Sequence, residues 1–491
     1  MQISLYLVSE SGNQMNQTNS LKKIILKYSF KPFHAVLFAY AAIAALIIIF
    51  FNGTGDSGDS ILHYLYARYA PVHTELYFNH WAKPLFVLLA SPFARFGFTG
   101  MKIFNALVVF LTIMLTYRSV QLLNLQNPLL VTILLIFSPL YFVQTFSGLT
   151  EPLFALFTAA GIFLILKKKY VLSFLIISFL PFIRSEGLII MGVFAFYALV
   201  KKQWKALPFL LTGHLAYSVA GFFIHGDLLW VFTRIPYARL GSTYGSGTLF
   251  HFAEQLNYVI GIPIFVLFWA GVFTIILNSF RKKISAEVFI LIFLGFLSYF
   301  VAHSLFWYFG IFNSMGLKRV LIAIIPMISV IALIGFNFIT EELLQKHRIA
   351  RIIIQSVIIL YILIFPFLSN PAAIKWNKDL NLAEDQVAAA DLKAFLDTNI
   401  SVKPRLIYSH PYLSEVLHID HFDPERRLDL THENLSKLQP GEIIIWENWF
   451  AVVENGIKIE DLENTPELVN IYQSINKNDK REVQYYVFRR K

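Results

Sequence analysis

Residues 51–84 read FNGTGDSGDSILHYLYARYAPVHTELYFNHWAKP, a polar, acid-bearing and aromatic segment set between stretches apolar enough to cross a bilayer. It holds Asp56, Asp59, His63, His73, Glu75, His80 and Lys83, far more ionisable groups than a plain connector needs. The run before it, Ala35 to Phe51, is apolar and follows Lys22, Lys23, Lys27 and Lys31. No small-residue cleavage pattern closes that run, so it reads as an uncleaved first helix.

Composition points the same way. Of 491 residues, 56% are hydrophobic and 15% charged, whereas charged residues make up roughly a quarter of a soluble domain. The 48 Phe and 23 Tyr suit lipid-facing and interfacial positions. A formal charge of +10 does not signal nucleic acid here, because Lys and Arg fall in short junctions between apolar runs. With no cysteine, neither disulfide nor thiolate chemistry is available.

A span needs about 20 residues, and the apolar runs lie near 33–50, 101–122, 129–147, 152–166, 170–183, 187–200, 206–224, 258–279, 286–308, 320–339 and 352–369. The fold class expected is an all-α polytopic membrane domain of about 11 transmembrane helices. Arg118, Lys167 to Lys169, Lys201, Lys202, Lys205, Arg281 to Lys283, Lys346, Arg348 and Arg351 then share a side with the N-terminus. By the positive-inside rule that side is cytoplasmic, which puts loops 51–100 and 225–257 and the tail outside. A crossing through Leu85 to Phe98 would invert every later cluster, so that run reads as a re-entrant or interfacial helix.

The organisation expected is therefore a transmembrane domain, 1–369, followed by a periplasmic or extracellular domain, 370–491. In the latter, charges become frequent, RLIYSH (405–410), EIIIWE (442–447) and VQYYVFRR (483–490) read as strands, and 383–400 reads as a helix. This is a small C-terminal α/β domain.

Asp56, Asp59, Glu151 and Glu186 are far apart in sequence but reach the same boundary, where they can line one cavity. Asp56 reads equally as a solvated turn residue, and Asp59 as a helix cap. Glu151 and Glu186, followed by Pro and Gly, also fit simple helix starts. Lys83, Arg184, Lys318 and Arg319 oppose the charge rule, as cations holding a phosphate or lipid headgroups do. In the 225–257 loop, Tyr237, Arg239 and Tyr244 suit a lid or an acceptor groove. His63, His73 and His80 are interfacial or structural residues, or metal ligands with a carboxylate such as Glu75. Their spacing matches no zinc pattern, and a divalent metal is left open.

GDSILHYLYARYA (58–70), HWAKPLFVLLASPFARFGFTGMKIFNAL (80–107), LTEPLF (149–154), PFIRSEGL (181–188) and GLKRVLIAIIP (316–326) together resemble the membrane-embedded GT-C glycosyltransferases. Within that class they are similar to the protein mannosyltransferase and lipid A aminoarabinose transferase group. The resemblance implies a catalytic acid in the first outer loop, falling on Asp59 with Asp56 next. It places the Lys-Pro pair on Lys83 and Pro84, cavity-shaping residues on Glu151, Arg184 and Glu186, and a phosphate contact on Arg319 beside Lys318. A Glu directly before the Lys in aminoarabinose transferases is Ala82 here.

The function implied is inverting transfer of a sugar from a polyprenyl-phosphate-linked donor to a hydroxyl of a glycan, lipid or protein. The setting implied is the extracytoplasmic side of a bacterial inner membrane, in building cell-envelope glycan. A transporter or lipid flippase is the alternative, and would show paired repeats and broken midplane helices. An O-antigen ligase or polymerase would need a large late outer loop that this chain lacks.

Overall fold

The computed structural model describes residues 32–238, 241–400, 404–478 and 481–491. The chain divides into two compact units, Met1–Ala45 and Leu46–Lys491, and the second carries the sheet and the candidate site.

Among the described residues, seven helices are long and apolar enough to cross a membrane: Pro32–Phe50, Gly97–Leu122, Trp204–His225, Ile262–Phe280, Glu287–Phe309, Lys318–Leu343 and Arg348–Phe367. Shorter apolar helices run over Pro84–Ala94, Glu151–Leu166, Tyr170–Phe182 and Gly187–Val200. The protein is an integral membrane protein built largely of helix. The 11 residues of Pro84–Ala94 reach only about half the thickness of a hydrocarbon core.

One expected span is not a single helix. Residues 129–147 form two short helices, Leu130–Ile136 and Pro139–Gln144, separated at Ser138, whose backbone is extended. Pro139 has no N–H to continue the first helix and pushes the residue before it out of the α region. Similarly, Gly261 takes φ +78 and separates His251–Ile260 from Ile262–Phe280, so the run expected over 258–279 starts later and part of the 225–257 loop is helical.

The C-terminal part is a five-stranded mixed sheet ordered β2-β1-β3-β5-β4. Its strands are β1 (Leu406–Tyr408), β2 (Arg427–Leu428), β3 (Ile443–Glu447), β4 (Leu468–Asn478) and β5 (Arg481–Arg490). β1 runs parallel to β2 and β3, while β5 is antiparallel to β3 and β4. Strand side chains alternate between faces, and both faces are covered. Leu406, Tyr408, Ile443, Ile445, Tyr485 and Val487 pack with the helix Glu384–Asn399 through Ala388, Leu392 and Leu396. Ile407, Ile444, Trp446, Tyr486 and Phe488 form a second core on the other face.

This domain grips the 51–84 segment. The Gly53 N–H donates to the Leu380 carbonyl at 2.8 Å, and Gln386 Nε2 donates to Thr54 Oγ1 at 2.8 Å. Arg68 pairs with Glu415 at 2.7 Å, and His73 Nε2 lies 2.9 Å from Asp420 Oδ2. Leu392 is fully buried between the helix and the sheet. Leu392→Ala should therefore cost about 2–5 kcal/mol, read as a lowered unfolding midpoint in detergent, whereas Leu392→Met should cost less than about 1.5 kcal/mol.

Candidate functional site

The site is built on the turn that opens the helix Asp59–Tyr69. Asp56, not Asp59, caps that helix: its Oδ1 accepts the N–H of Gly58 at 3.0 Å and of Ser60 at 2.9 Å. Capping fixes the turn and leaves Asp59 on the first helical residue with no capping duty. The Ser60 hydroxyl donates to the Thr54 carbonyl and accepts the Gly148 N–H at 2.7 Å. Gly148 lies so close to the Ser60 carbonyl that a Cβ would overlap it, so glycine is required there. Asn105 Nδ2 donates to the carbonyls of Ser147 at 2.7 Å and Leu149 at 3.1 Å, fastening the turn that leads into Glu151.

Four acids and two guanidiniums converge on this frame. Arg319 meets Asp56 through Nη1 and Asp59 through Nη2, and its Nε lies 3.6 Å from Glu151 Oε1. Arg184 reaches Glu151 at 2.8 Å and Glu186 at 2.9 Å. Glu151 is 1% exposed, walled behind both arginines.

A cavity of about 450 Å³ opens beside these pairs. Asp59, His63, Lys83, Arg184, Glu186, Tyr237, Tyr244 and Arg319 line it, all singled out from sequence. Asp59 keeps 42% of its side-chain surface open, against 27% for Asp56, whose two oxygens are committed to the cap and to Arg319. Lys83 enters from a left-handed backbone, φ +68, just before Pro84, and donates to Ser185 Oγ at 3.0 Å. Such a conformation costs a residue with a side chain on the order of 1–3 kcal/mol, and strain of this kind tends to gather at functional sites.

The remaining expected residues lie elsewhere. The Lys318 ammonium sits 5.2 Å from the Tyr258 ring centre, away from the cavity that its neighbour Arg319 lines. His80 Nε2 lies 3.1 Å from the Val231 carbonyl, and His73 pairs with Asp420, with Glu75 3.9 Å from its other nitrogen. His73 and His80 thus turn to different partners. Among the described residues no three His, Asp or Glu side chains are grouped to hold a metal, and the carboxylates of the site are aimed at guanidiniums. Arg239 lies outside the described residues.

Sequence reasoning missed His303, which lines the cavity with Nε2 3.7 Å from Glu186 Oε1. Its signal was present, an ionisable residue inside the apolar run 286–308. Phe450 was also missed. It packs under the turn that opens the helix Asp59–Tyr69 so closely that a Cβ on Gly58 would lie 3.3 Å from its ring.

Charge state follows from burial and neighbours. Burial, the largest single influence, pushes Asp59 up, but Arg319, with smaller help from His63 and Arg184, more than offsets it and holds the carboxyl below its ordinary value. For Asp56 burial prevails over Arg319, and the neighbouring Asp59 charge adds to the rise. Burial takes Lys83 down to about 8 and His63 down to about 3. Glu186, raised by burial, is pulled to about 2 chiefly by Arg184. The cavity therefore presents an ionised Asp59, a neutral His63 and an ammonium that titrates near physiological pH.

A helical membrane body that gathers acids and cations at one cavity is joined to a small sheet domain. A crystal structure of ArnT from Cupriavidus metallidurans bound to undecaprenyl phosphate matches this chain with a TM-score of 0.60 at 13% identity, covering 91% of this chain and 97% of that one. ArnT from the same organism in the apo state matches with a TM-score of 0.57 at 12% identity and the same coverage. No family model and no curated protein matches the sequence. At this identity the shared property is the fold.

Arg319→Ala leaves Asp56, Asp59 and Glu151 without their shared counter-charge and should destabilise the protein by about 3–5 kcal/mol. Arg319 holds Asp59 low, so wild type keeps that stabilisation until pH falls through the depressed value. The variant's acids take up protons at higher pH, which relieves their repulsion. The gap in melting temperature between the two should therefore be wider at pH 7.5 than at pH 5.

Proposed function

We propose that this protein is an inverting glycosyltransferase that moves a sugar from a polyprenyl-phosphate-linked donor to an acceptor hydroxyl. The observation that carries the reading is one cavity lined by the Asp59 carboxylate, the Lys83 ammonium and Arg319. It occurs in a chain whose fold is similar to that of a protein crystallised with undecaprenyl phosphate. Residues 1–369 form the catalytic membrane part and 370–491 an extracytoplasmic domain. The site faces the outer leaflet of a bacterial inner membrane, and the acceptor is a glycan, lipid or protein of the cell envelope, as in mannosyl transfer.

In this reaction the acceptor oxygen attacks the anomeric carbon from the face opposite the phosphate. The new C–O bond forms as the bond from the anomeric carbon to the phosphate oxygen breaks, and its electron pair leaves with the polyprenyl phosphate. The hydroxyl proton passes to Asp59 as general base. Lys83 anchors the phosphate and stabilises the charge that grows on it. A donor phosphate near Arg319 also shares the guanidinium with Asp59, weakening the hold that keeps the carboxylate a poor base.

Asp59→Asn should abolish transfer of radiolabel from a polyprenyl-phosphate sugar to membrane extract, with donor affinity kept within about threefold, a change of less than about 1 kcal/mol. Transfer at the wild-type rate would remove Asp59 from the reaction. Lys83 is charged below about pH 8 and loses its proton above it. The donor kcat/KM, which reports free-enzyme ionisations, should therefore fall as pH rises through about 8. Lys83→Arg should move that fall to higher pH.

A further inference from the structure

Ser185 stands between two residues that the sequence singles out, Arg184 and Glu186, and no role has yet fallen to it. Its Oγ accepts a hydrogen bond from Lys83 Nζ at 3.0 Å, and both residues are partly exposed and line the cavity. Among the described residues the Lys83 ammonium makes no other hydrogen bond and no ion pair. Of its three donors, one is spent on Ser185 and two are left for a ligand.

A lysine is a point charge on a flexible stem, so it binds a phosphate well only when its direction is set beforehand. The left-handed backbone before Pro84 sets where this stem starts, and Ser185 sets where it ends. Ser185 is itself held. It lies in the turn between Leu180–Phe182 and the helix Gly187–Val200, where the Arg184 N–H donates to the Leu180 carbonyl and the Gly187 N–H to the Arg184 carbonyl, both at 2.9 Å. Gly187 lies so close to the Leu180 backbone that a Cβ would overlap it, and the Arg184 side chain is fastened to Glu151 and Glu186. The neutrality of the hydroxyl matters as much as its place. Glu186 and Asp59, whose charges reach Lys83, are engaged by Arg184 and Arg319. A carboxylate at position 185 would hold the ammonium by an ion pair that an incoming phosphate must break, whereas a hydroxyl holds it with its charge intact.

We infer that Ser185 is a positioning residue for the transfer reaction, aiming the Lys83 ammonium at the donor phosphate while leaving its charge uncompensated. This rests on the polyprenyl-phosphate-sugar reading given above. Its signature is in the pH dependence of phosphate binding, because Lys83 titrates near pH 8 and the groups around it do not. Asp59 on the helix Asp59–Tyr69 and Glu186 on the turn stay ionised there, and Arg184 stays charged. Burial keeps His63 and His80 neutral and the cavity tyrosines Tyr237 and Tyr244 protonated. A phosphate monoester, with a second pKa of about 6, is fully ionised in the same range.

The test measures affinity of the purified full chain in lipid nanodiscs for polyprenyl phosphate, from about pH 7 to about 9.5, a range centred on the Lys83 titration. Ser185→Ala should weaken binding at pH 7 by about threefold or more, and should move the alkaline loss of affinity to lower pH, since a hydrogen bond to the charged form favours it. Ser185→Asp should also weaken binding by about threefold or more, yet should move that loss to higher pH, since a carboxylate raises the ammonium's pKa. In a Lys83→Met background Ser185→Ala should change affinity by less than about twofold, because the two residues act as one unit. A merely structural serine would give neither the opposed pH shifts nor the lost effect. Wild-type affinity in Ser185→Ala, shifts in the same direction for Ala and Asp, or a full further loss in the Lys83→Met background overturns the inference while the transferase reading stands. Wild type that does not bind polyprenyl phosphate overturns the transferase reading, and this inference with it.

Discussion

Arg319 carries one positive charge to a place where Asp56, Asp59 and Glu151 converge from two other segments of the chain. Removing ions from water is costly, and a buried pair recovers that cost only when geometry and further hydrogen bonds are good. Here the planar guanidinium meets the two aspartates through separate nitrogens, the fork geometry for which Arg is suited and Lys is not. Asp56 makes the arrangement cooperative, because the oxygen left over from Arg319 caps the helix that begins at Asp59. The charge pairing, the helix start and the direction of Asp59 therefore stand or fall together.

The sheet domain holds the other side of the same turn. Phe450 fills the space against Gly58, while Gln386 and Leu380 hold Thr54 and Gly53 by hydrogen bonds. Glu454 accepts a hydrogen bond from Tyr244, a cavity residue on the 225–257 loop, at 2.7 Å. A reactive carboxylate performs best when its neighbours are locked by packing and hydrogen bonds. The tail supplies such support from a core of its own, which the membrane helices need not provide.

Much of this was legible in the sequence, for identifiable reasons. Apolar runs are a one-dimensional signal, and they located most of the helices. Three strands of the sheet coincide with β-branched and aromatic runs, whereas β4, LVNIYQSINKN, is too polar to stand out and is set by pairing with β5. What depends on rotation about a helix axis was not legible. Lys318 and Arg319 are neighbours, yet successive residues point about 100° apart, so one faces the cavity and the other Tyr258. Nor could spacing alone assign the cap to Asp56, since Asp59 stands equally close to the periodic stretch.

The proposed chemistry contains a tension that the geometry itself resolves. A carboxylate held by a guanidinium is stable as an anion and therefore a weak base, and in the free protein Asp59 is held in that way. Lys83 is different: it faces a hydroxyl, so an incoming phosphate can reach it without first breaking an ion pair. Anchored there, the phosphate brings negative charge toward Arg319 and competes with Asp59 for the same nitrogens. The base gains strength only as the donor arrives, while Asp56 and Glu151 continue to hold Arg319. In the proposed reaction Asp59 can thus be released while Arg319 keeps Asp56 and Glu151 as partners.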